Sequence, residues 1–382
     1  MKFLVIIEKK NPITPLVPND IERLIAHKDT VGIYNVSSDC VFSNEQFIKA
    51  GAKIEKTLNE NIIKSYDVIV SYSILSDKIY SYINPNQIAW CHGFLVNEPH
   101  TLQVMLKNSN NVISTEAIHE NGMYPFNMAY DQLKGYYGCV LCLEALARSK
   151  NNPKANGYAI GKIANIKTNT TFVILNYSYA GFYAAKTALA LGANVIYLDN
   201  DKDNLHEIET NEELKTLSKI LKGKLSTEIA SYDNLNKFSK IANVLIATNP
   251  LPTKKSLTRI NLEMINSMPR GGVYMDLGCE SGFSANVTSA PNINNKHGDI
   301  TSNVKQIVID KIPSLFPNTL SQIFSELNTN YFLKFPKTEG FVTSLKKDPI
   351  ISNAFICSNG NLTNQDIAKS WNLIYSKLDQ SK

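Results

Sequence analysis

Short apolar runs alternate with amphipathic stretches along the first 130 residues of the chain. Runs such as KFLVIIE, TVGIYNV and DVIVSYSI have the length and β-branched content of strands, whereas PNDIERLIAH, SNEQFIKAGA and EPHTLQVMLKN have helical spacing. Strands that alternate with helices are typical of a mostly parallel sheet with both faces covered. The pattern therefore predicts an α/β domain at the start of the chain.

A second alternating block follows a long predicted helix, from about Asp131 to Lys150, and a polar connection, NNPKANGYAIGK. The predicted strands of this block are TFVILN, NVIYLDN, STEIAS, NVLIATN and GGVYMDLG. After about residue 305 the pattern changes to an apolar strand, KQIVID, and to helical stretches interrupted by proline. The 382 residues are long enough for two domains, and the pattern predicts two of the α/β class.

Composition and charge narrow the class of protein. Apolar residues make up 43% of the chain, and the net charge is only +5 without a run of five like charges, so a nucleic-acid partner is not expected. The apolar runs are far shorter than the ~20 residues of a membrane span. The apolar part of MKFLVIIEKK is too short for a signal peptide and predicts a first strand instead. We expect a cytoplasmic protein with no membrane partner.

Six cysteines are scattered along the chain, which does not favour a disulfide scaffold in a protein of this size. Cys139 and Cys142 form a C-x-x-C within the apolar helical run YYGCVLCLEALA. A zinc site would need a second Cys or His pair at metal spacing. We interpret the two residues as buried thiols one helical turn apart, and we expect no metal.

The stretch VILNYSYAGFYAAK, from Val173 to Lys186, has the outline of a dinucleotide-binding strand, turn and helix. Such turns usually have three glycines, but here Asn176, Ser178 and Gly181 occupy the three places. Asn tolerates positive φ better than other non-glycine residues. Ser is small, and its hydroxyl can bond a phosphate oxygen. We therefore expect that the Ser178 side chain crowds the pyrophosphate but does not prevent the cofactor from binding.

The next predicted strand, VIYLD, ends in Asp199, 18 residues after Gly181. An acid at about this distance binds the adenosine ribose hydroxyls and favours NAD over NADP, although NADP is not excluded. The alternative is a strand–helix–strand unit with a closed turn and no cofactor. The candidate cofactor ligands here are Asn176, Ser178, Tyr179, Ala180, Gly181, Asp199 and Asn200.

Several segments resemble one enzyme family. TFVILNYSYAGFYAAKTALALGANVIYLDND, VFSNEQFIKAGAKI and NLEMINSMPRGGVYMDLG are similar to segments of alanine dehydrogenases and the transhydrogenase α-subunit. IVIDKIPSLFPNTLSQIFS looks closer to the opine-type branch, which contains saccharopine dehydrogenase and carboxyethylornithine synthase. The resemblance touches most of the chain, and the order of the segments is more specific than any one of them.

The resemblance implies two Rossmann-like doubly wound domains with a cleft between them. A discontinuous substrate domain would comprise residues 1–135 and 305–382, and residues 136–304 would form the dinucleotide-binding domain. These limits agree with the pattern changes near residues 135 and 305.

The same resemblance implies an Arg and a Lys that hold the substrate carboxylate, but this chain has neither. Ile13 stands at the Arg position and Tyr72 at the Lys position. A bidentate Arg is hard to replace in carboxylate recognition. Either other cations reach the site, for which Lys9, Lys10 and Arg23 are candidates, or the substrate is not a simple α-amino acid.

His92 is the candidate general acid/base. In QIAWCHGFLVNEP it follows an apolar strand, at the strand end where ligands bind in open α/β sheets, and it matches the catalytic His of the opine-type branch. In the alanine dehydrogenase register Phe94 would take that position instead. A His that titrates near neutral pH suits proton transfer to or from nitrogen. A structural His is the alternative.

Three further regions complete the candidate site. Glu280, in YMDLGCESGF, stands where the family has an active-site Asp, and Asp276 before it is expected to be structural. Lys311, in IDKIPS, would lie against the nicotinamide and could supply the missing charge. Thr248 and Asn249, in ATNPLP, would line the adenosine side. The candidate catalytic residues are thus His92, Glu280 and Tyr72.

Two classes of function remain. The first is an NAD(P)-dependent oxidoreductase that acts on a C–N bond of an amino acid or an opine-type secondary amine, with small amine and 2-oxo acid partners. The second is a catalytically reduced family member that binds a nucleotide or a protein without turnover. A homo-oligomer is compatible with either class.

Overall fold

A computed structural model describes residues 1–9, 11–93, 98–150, 152–163, 166–167, 170–248, 258–277, 297–299, 303–307, 312–337 and 340–379. The chain divides into two compact units. The first combines Met1–Ala129 with Ser314–Lys382, and the second is Tyr130–Pro313. The assignment of substrate to the first unit and cofactor to the second remains a prediction.

The first part of the chain alternates strands and helices. Its strands are β1 (Lys2–Ile7), β2 (Thr30–Asn35), β3 (Lys53–Ile54), β4 (Val68–Ser71), β5 (Ile88–Cys91) and β6 (Asn111–Ser114). Its helices are α1 (Pro18–Ala26), α2 (Asn44–Lys49), α3 (Glu60–Lys64), α4 (Asp77–Tyr80) and α5 (Pro99–Lys107), with a 3-10 turn at Thr115–Ala117. Helix α6 (Pro125–Leu146) follows and contains the boundary between the units.

The middle of the chain repeats this alternation. The strands are β7 (Lys162–Ile163), β8 (Ile166–Lys167), β9 (Thr171–Leu175), β10 (Asn194–Asp199), β11 (Leu225–Ile229), β12 (Val244–Ala247), β13 (Val273–Asp276), β14 (His297–Asp299) and β15 (Lys305–Ile307). The helices are α7 (Tyr179–Ala190), α8 (Lys202–Thr210), α9 (Glu212–Leu221), α10 (Tyr232–Ser239) and α11 (Leu262–Asn266).

The last part of the chain returns to the first unit. It begins with a 3-10 turn at Ile312–Leu315 and continues through α12 (Pro317–Phe332), α13 (Phe341–Lys347), a second 3-10 turn at Ser352–Ala354, β16 (Phe355–Ser358), β17 (Asn361–Leu362) and α14 (Gln365–Trp371).

The sheet of the first unit has the order β17-β16-β6-β5-β4-β1-β2-β3. Strands β1 to β6 pair in parallel, and β16 joins β6 in antiparallel orientation. The order reverses between β1 and β4, which is where open α/β sheets bind ligands at the carboxyl ends of the strands. His92 follows β5 and Tyr72 follows β4, so both lie at that edge.

The sheet of the second unit has the order β11-β10-β9-β12-β13-β15-β14, in which β9 to β13 pair in parallel. Alternate residues of β9 enter different apolar clusters: Phe172 and Ile174 pack in one, Val173 and Leu175 in another. Side chains that alternate between two buried layers explain why this strand is apolar throughout. The predicted α/β class with two Rossmann-like doubly wound units is confirmed.

Helix α6 corrects one predicted boundary. The apolar pattern placed this helix from about residue 131 to 150, but it runs from Pro125 to Leu146. Proline is tolerated in the first turn of a helix because its missing N–H has no acceptor there. Among the described residues, no helix has the length and apolarity that crossing a membrane requires.

Candidate functional site

The turn after β9 lies where the strand order of the second unit reverses, between β9 and β12. Asn176 follows β9 and has a φ of 74°. This left-handed conformation is uncommon for residues with a side chain, and Asn adopts it more readily than most. The Asn176 amide donates to the Thr248 carbonyl oxygen over 2.8 Å and so links the turn to the end of β12. Asn176 has the predicted tolerance of positive φ, and its role toward a cofactor remains a prediction.

Ser178 is the N-cap of α7. Its Oγ accepts from the Gly181 N–H over 2.9 Å and donates to the Thr248 Oγ1 over 2.8 Å, and the residue is 3% exposed. A serine in this position satisfies one of the helix N–H groups that lack an acceptor within the helix. The sequence predicts that Ser178 crowds a position usually held by glycine and that its hydroxyl can bond a phosphate oxygen. In the structure the hydroxyl donates to Thr248, and its contact with phosphate remains a prediction.

Gly181 lies where α7 packs close to the sheet and leaves no room for a side chain. A Cβ at this position would fall against the Tyr197 hydroxyl, with the Asn176 carbonyl oxygen 3.1 Å away. Tyr197 is fully buried on β10, and its hydroxyl donates to that same carbonyl oxygen over 3.1 Å. Gly181 therefore permits close packing of α7 on the sheet, which is the general role of the third glycine in such turns.

Asp199 ends β10 and is 4% exposed. Its Oδ2 accepts from the Tyr177 N–H over 2.6 Å, and its Oδ1 accepts from the Asp201 N–H over 2.8 Å and the Asn204 side chain over 3.1 Å. The carboxylate thus braces the turn from the neighbouring strand, as well as standing at the predicted ribose position. Asn200, the next residue, is half-buried.

The other candidate ligands divide between described and undescribed residues. Tyr179 and Ala180 are the first two residues of α7, the former half-buried and the latter buried. Thr248 follows β12 and is 1% exposed. Asn249, Glu280 and Lys311 lie outside the residues that the structure describes, as does Phe94, so their predicted roles remain predictions.

The described residues of this turn fit a dinucleotide pyrophosphate. Helix α7 is 12 residues long, and its first turn, YAGF, carries no acidic side chain. The N–H groups and dipole of a helix N-terminus favour an anion. Asp199, at the end of the adjacent strand β10, is the kind of acidic residue that binds the ribose in such sites.

His92 in the first unit lies among polar groups from the neighbouring strand end. Its Nδ1 is 2.9 Å from the Thr115 Oγ1, and its Nε2 is 3.4 Å from a carboxylate oxygen of Glu116. The His92 side chain is 10% exposed and that of Glu116 is 22% exposed. Burial lowers the pKa of His92 from 6.5 to about 3, so the imidazole is neutral at physiological pH and does not titrate near neutral pH as the sequence predicted.

Two aromatic rings enclose His92. Tyr72 stacks on the imidazole with ring centroids 5.6 Å apart, and Phe324, on α12, meets it edge to face at 4.6 Å. Tyr72 and Phe324 also contact each other, with centroids 5.3 Å apart. The structure thus brings together His92 and Tyr72, two of the three candidate catalytic residues.

The structure describes Ile13, at the predicted Arg position, and two of the cations proposed to replace that Arg. Ile13 is 2% exposed. Arg23 pairs with Asp20 at 2.6 Å and with Glu326 at 2.7 Å, so its guanidinium is engaged by acidic side chains of α1 and α12. Lys9 is exposed, and Lys10 lies outside the described residues.

Sequence reasoning missed Thr115, Glu116 and Phe324. A signal for the first two exists, because β5 and β6 are parallel neighbours and the polar residues that follow adjacent strands meet at one edge. Phe324 gives no such signal, since it reaches His92 from a helix more than two hundred residues away in the chain.

Cys139 and Cys142 are buried thiols in α6, which matches the interpretation from sequence. Within the described part of the chain, no group of three or more His, Cys, Asp or Glu side chains is placed to hold a metal ion.

Comparison with known proteins gives matches along most of the chain. The family model "Alanine dehydrogenase/PNT, N-terminal domain" matches residues 5–127, and "Alanine dehydrogenase/PNT, C-terminal domain" matches residues 142–365. Alanine dehydrogenase 1 of Staphylococcus aureus (strain N315) is 23% identical over 338 residues, which are 88% of this chain and 87% of that protein.

Two solved structures share the fold. An L-alanine dehydrogenase superposes with a TM-score of 0.80 at 18% identity, covering 97% of this chain and 99% of the other. A transhydrogenase from Sinorhizobium meliloti superposes with a TM-score of 0.72 at 14% identity, covering 96% of this chain and 100% of the other.

Proposed function

We propose a function from the premise that this chain belongs to the alanine dehydrogenase/PNT family. Membership of this NAD-dependent family confirms NAD as the cofactor expected from sequence. The function that we propose is that of an NAD-dependent amino-acid dehydrogenase. It would oxidise the carbon that carries the amino group and release a 2-oxo acid. The cytoplasmic location expected from the sequence remains a prediction.

In this reaction a hydride leaves the carbon bonded to nitrogen and the nitrogen loses a proton as the imine forms. Water then adds to the imine, and ammonia departs, or a primary amine where the substrate is a secondary amine. When bound, NAD supplies the acceptor for the hydride. The turn from Asn176 to Gly181 and the first residues of α7, Tyr179 and Ala180, would hold the pyrophosphate. Asp199 would bind the adenosine ribose, and Thr248 would hold the turn in place through its hydrogen bonds with Asn176 and Ser178. Supporting this assignment are the capped helix N-terminus and the buried acid beside it.

His92 would move the proton in this proposal. A neutral imidazole can take a proton from the attacking water and return it in the reverse direction. Its low pKa, a consequence of burial, keeps the imidazole neutral but makes it a weak base, so its basicity would have to rise when substrate and cofactor are bound. Glu116, 3.4 Å from Nε2, would stabilise the imidazolium that forms. Tyr72 would hold the ring orientation through its stacking contact.

The substrate that we propose is bulkier or less acidic than alanine. Ile13 and Tyr72 stand where a carboxylate-binding Arg and Lys are expected, and the rings of Tyr72 and Phe324 give the surroundings of His92 an aromatic character. An amine with an apolar substituent, including an opine-type secondary amine, suits these surroundings. The non-catalytic alternative is not favoured, because His92 keeps an ordered set of polar partners.

The observation that carries the proposal is His92 at the carboxyl end of β5, with Thr115 at 2.9 Å and Glu116 at 3.4 Å. We would test it by incubating the purified protein with NAD and a panel of amino acids, and with NADH, 2-oxo acids and amines in the reverse direction. We expect turnover with an apolar or secondary amine and poor turnover with alanine. Rapid alanine oxidation would contradict the substrate part of the proposal.

His92→Gln is the matched variant for this test. We expect turnover to fall by about 10²–10⁴, the usual contribution of a general acid/base, with little change in NADH affinity. Unchanged turnover in this variant would contradict the role of His92.

A further inference from the structure

Lys134 is a buried cation in the part of helix α6 that belongs to the second unit. It is 8% exposed. No hydrogen bond or ion pair to Lys134 is found in the part of the chain that the structure describes. Lysine is seldom buried unless its charge has a partner. A buried lysine without a described counter-charge is a candidate for binding an anionic ligand.

The packing of α6 on β13 places Lys134 at the carboxyl edge of the sheet. The Cys142 Sγ lies 3.8 Å from the Met275 Sδ, and a Cβ at Gly138 would lie 2.9 Å from the Leu277 side chain, just past the strand. As the helix is followed backward, the strand therefore runs forward to its carboxyl end. Lys134 lies one turn before Gly138 on the same helix face, about 6 Å further in this direction. It is thus beyond the end of β13, at the edge of the sheet that also carries the turn after β9.

A second contact places the same part of α6 against the first turn of α7. A Cβ at Gly135, the residue after Lys134, would overlap the Ala180 carbonyl oxygen and lie 3.0 Å from the Ala184 nitrogen. The two helices therefore approach each other backbone to backbone at this point. The N-terminus of α7 favours an anion, so Lys134 lies one residue from a contact with the helix end where the pyrophosphate would bind.

The turn itself offers a phosphate less than a glycine-rich turn does. Asn176 and Ser178 carry side chains where glycines usually let the backbone approach the pyrophosphate. The Gly181 N–H, a donor of the first turn of α7, is bonded to the Ser178 Oγ at 2.9 Å. A cation from a neighbouring helix would supply attraction that these missing donors do not.

We propose that the Lys134 ammonium binds the pyrophosphate of the dinucleotide. The burial of Lys134, its place beyond β13 and the contact of α6 with α7 all support this assignment. It rests on the proposed placement of the cofactor at the turn from Asn176 to Gly181, but not on the proposed reaction.

Three variants separate the charge of Lys134 from its packing. Lys134→Met removes the charge and keeps an unbranched side chain, whereas Lys134→Arg keeps a cation. Lys219→Met removes an exposed lysine of the same unit and is the control. Calorimetric titration with NADH and with ADP-ribose, which shares the pyrophosphate, measures the affinities. We expect Lys134→Met to bind both ligands at least roughly tenfold more weakly, as the loss of a charge-assisted hydrogen bond implies, and the other two variants to stay near the parent.

Unfolding without ligand gives a readout that does not depend on the cofactor. Replacing a buried charge that lacks a counter-charge by an apolar side chain is often neutral or stabilising, so we expect Lys134→Met to be at least as stable as the parent. A less stable Lys134→Met with parent-like NADH affinity would show that Lys134 serves packing alone.

The remaining outcomes distinguish this proposal from the cofactor site as a whole. Parent-like NADH affinity in Lys134→Met, or equal losses in Lys134→Met and Lys134→Arg, would overturn the role of the Lys134 charge and leave the cofactor site in place. A parent protein that binds neither NADH nor ADP-ribose would overturn both.

Discussion

Asp199 and His92 show, at the scale of single residues, how position in the sheet sets the role of a side chain. Both follow or end a parallel strand at its carboxyl end, and both are largely buried. Their polar atoms meet backbone and side-chain partners from the adjacent strand, as Tyr177 does for Asp199 and Thr115 for His92. Changes at either residue should therefore alter both chemistry and local structure.

The protonation of His92 should appear in the stability of the protein. Its pKa falls from 6.5 to about 3 on folding, so between these values the unfolded chain binds more protons. The stabilising contribution is complete above pH 6.5 and is lost as the pH falls toward 3. Glu116 and Tyr72 also face the ring, and a carboxylate opposes part of this loss, so we expect at most about 2 kcal/mol between pH 6.5 and pH 5.

The measurement is the free energy of unfolding of the parent and of His92→Gln across this pH range. The difference between them should shift in favour of the variant as the pH falls. His206→Gln, which changes an exposed histidine, is the control and should show no such trend. A constant difference between the parent and His92→Gln would contradict the lowered pKa.

Two substitutions at Asp199 distinguish its charge from its hydrogen bonds. Asp199→Asn keeps a side-chain oxygen that can accept the Tyr177 N–H but removes the negative charge. We expect its preference for NADH over NADPH to shrink, because a carboxylate repels the 2′-phosphate. Asp199→Ala loses both features and should weaken NADH binding by about 1–3 kcal/mol. Fluorescence titration with both cofactors checks this, and an unchanged preference in Asp199→Asn would remove Asp199 from the ribose site.

At the scale of elements, the packing of α7 against β9 and β10 sets the geometry of the turn from Asn176 to Gly181. Most strands appear in the sequence as apolar runs, and TFVILN matches β9 closely because its residues are buried on both faces. The apolar pattern predicts a later start for α6, because Pro125 opens the helix in its first turn, where proline is tolerated. The glycine-based motif does not predict the capping role of Ser178, because that role depends on its side chain.

A double-mutant cycle between Gly181 and Tyr197 tests this packing. Gly181→Ala would place a methyl group against the Tyr197 hydroxyl and should destabilise the protein by about 1–3 kcal/mol. Tyr197→Phe removes that hydroxyl and its bond to the Asn176 carbonyl oxygen, at a cost of about 1 kcal/mol. Because the clash is then relieved, the double variant should cost less than the sum of the two. Additive free energies of unfolding would show that the hydroxyl does not limit the space at Gly181.

At the scale of the whole molecule, the sequence predicts the class of fold better than it predicts the site. Alternating strands and helices are local patterns, and they predict two α/β units, whereas the doubly wound, Rossmann-like form was implied by the family resemblance. The surroundings of His92 depend on contacts between segments far apart in the chain, such as Phe324 on α12, and no local pattern reveals them. The resemblance places Ile13 and Tyr72 at the positions of two carboxylate-binding cations, which remains a prediction, and no local pattern predicts which residues would recognise the substrate instead.

The proposed function depends on one step, the transfer of a hydride from a carbon bonded to nitrogen. The most direct measurement uses a substrate from the amine panel carrying deuterium on that carbon, followed by mass spectrometry of the reduced cofactor. We expect deuterium to appear in the NADH formed by the parent protein, and we expect His92→Gln to bind NADH equally well but to form far less of it. NADH that forms without deuterium would contradict this step. So would a parent protein that binds NADH but fails to reduce NAD with every amine of the panel.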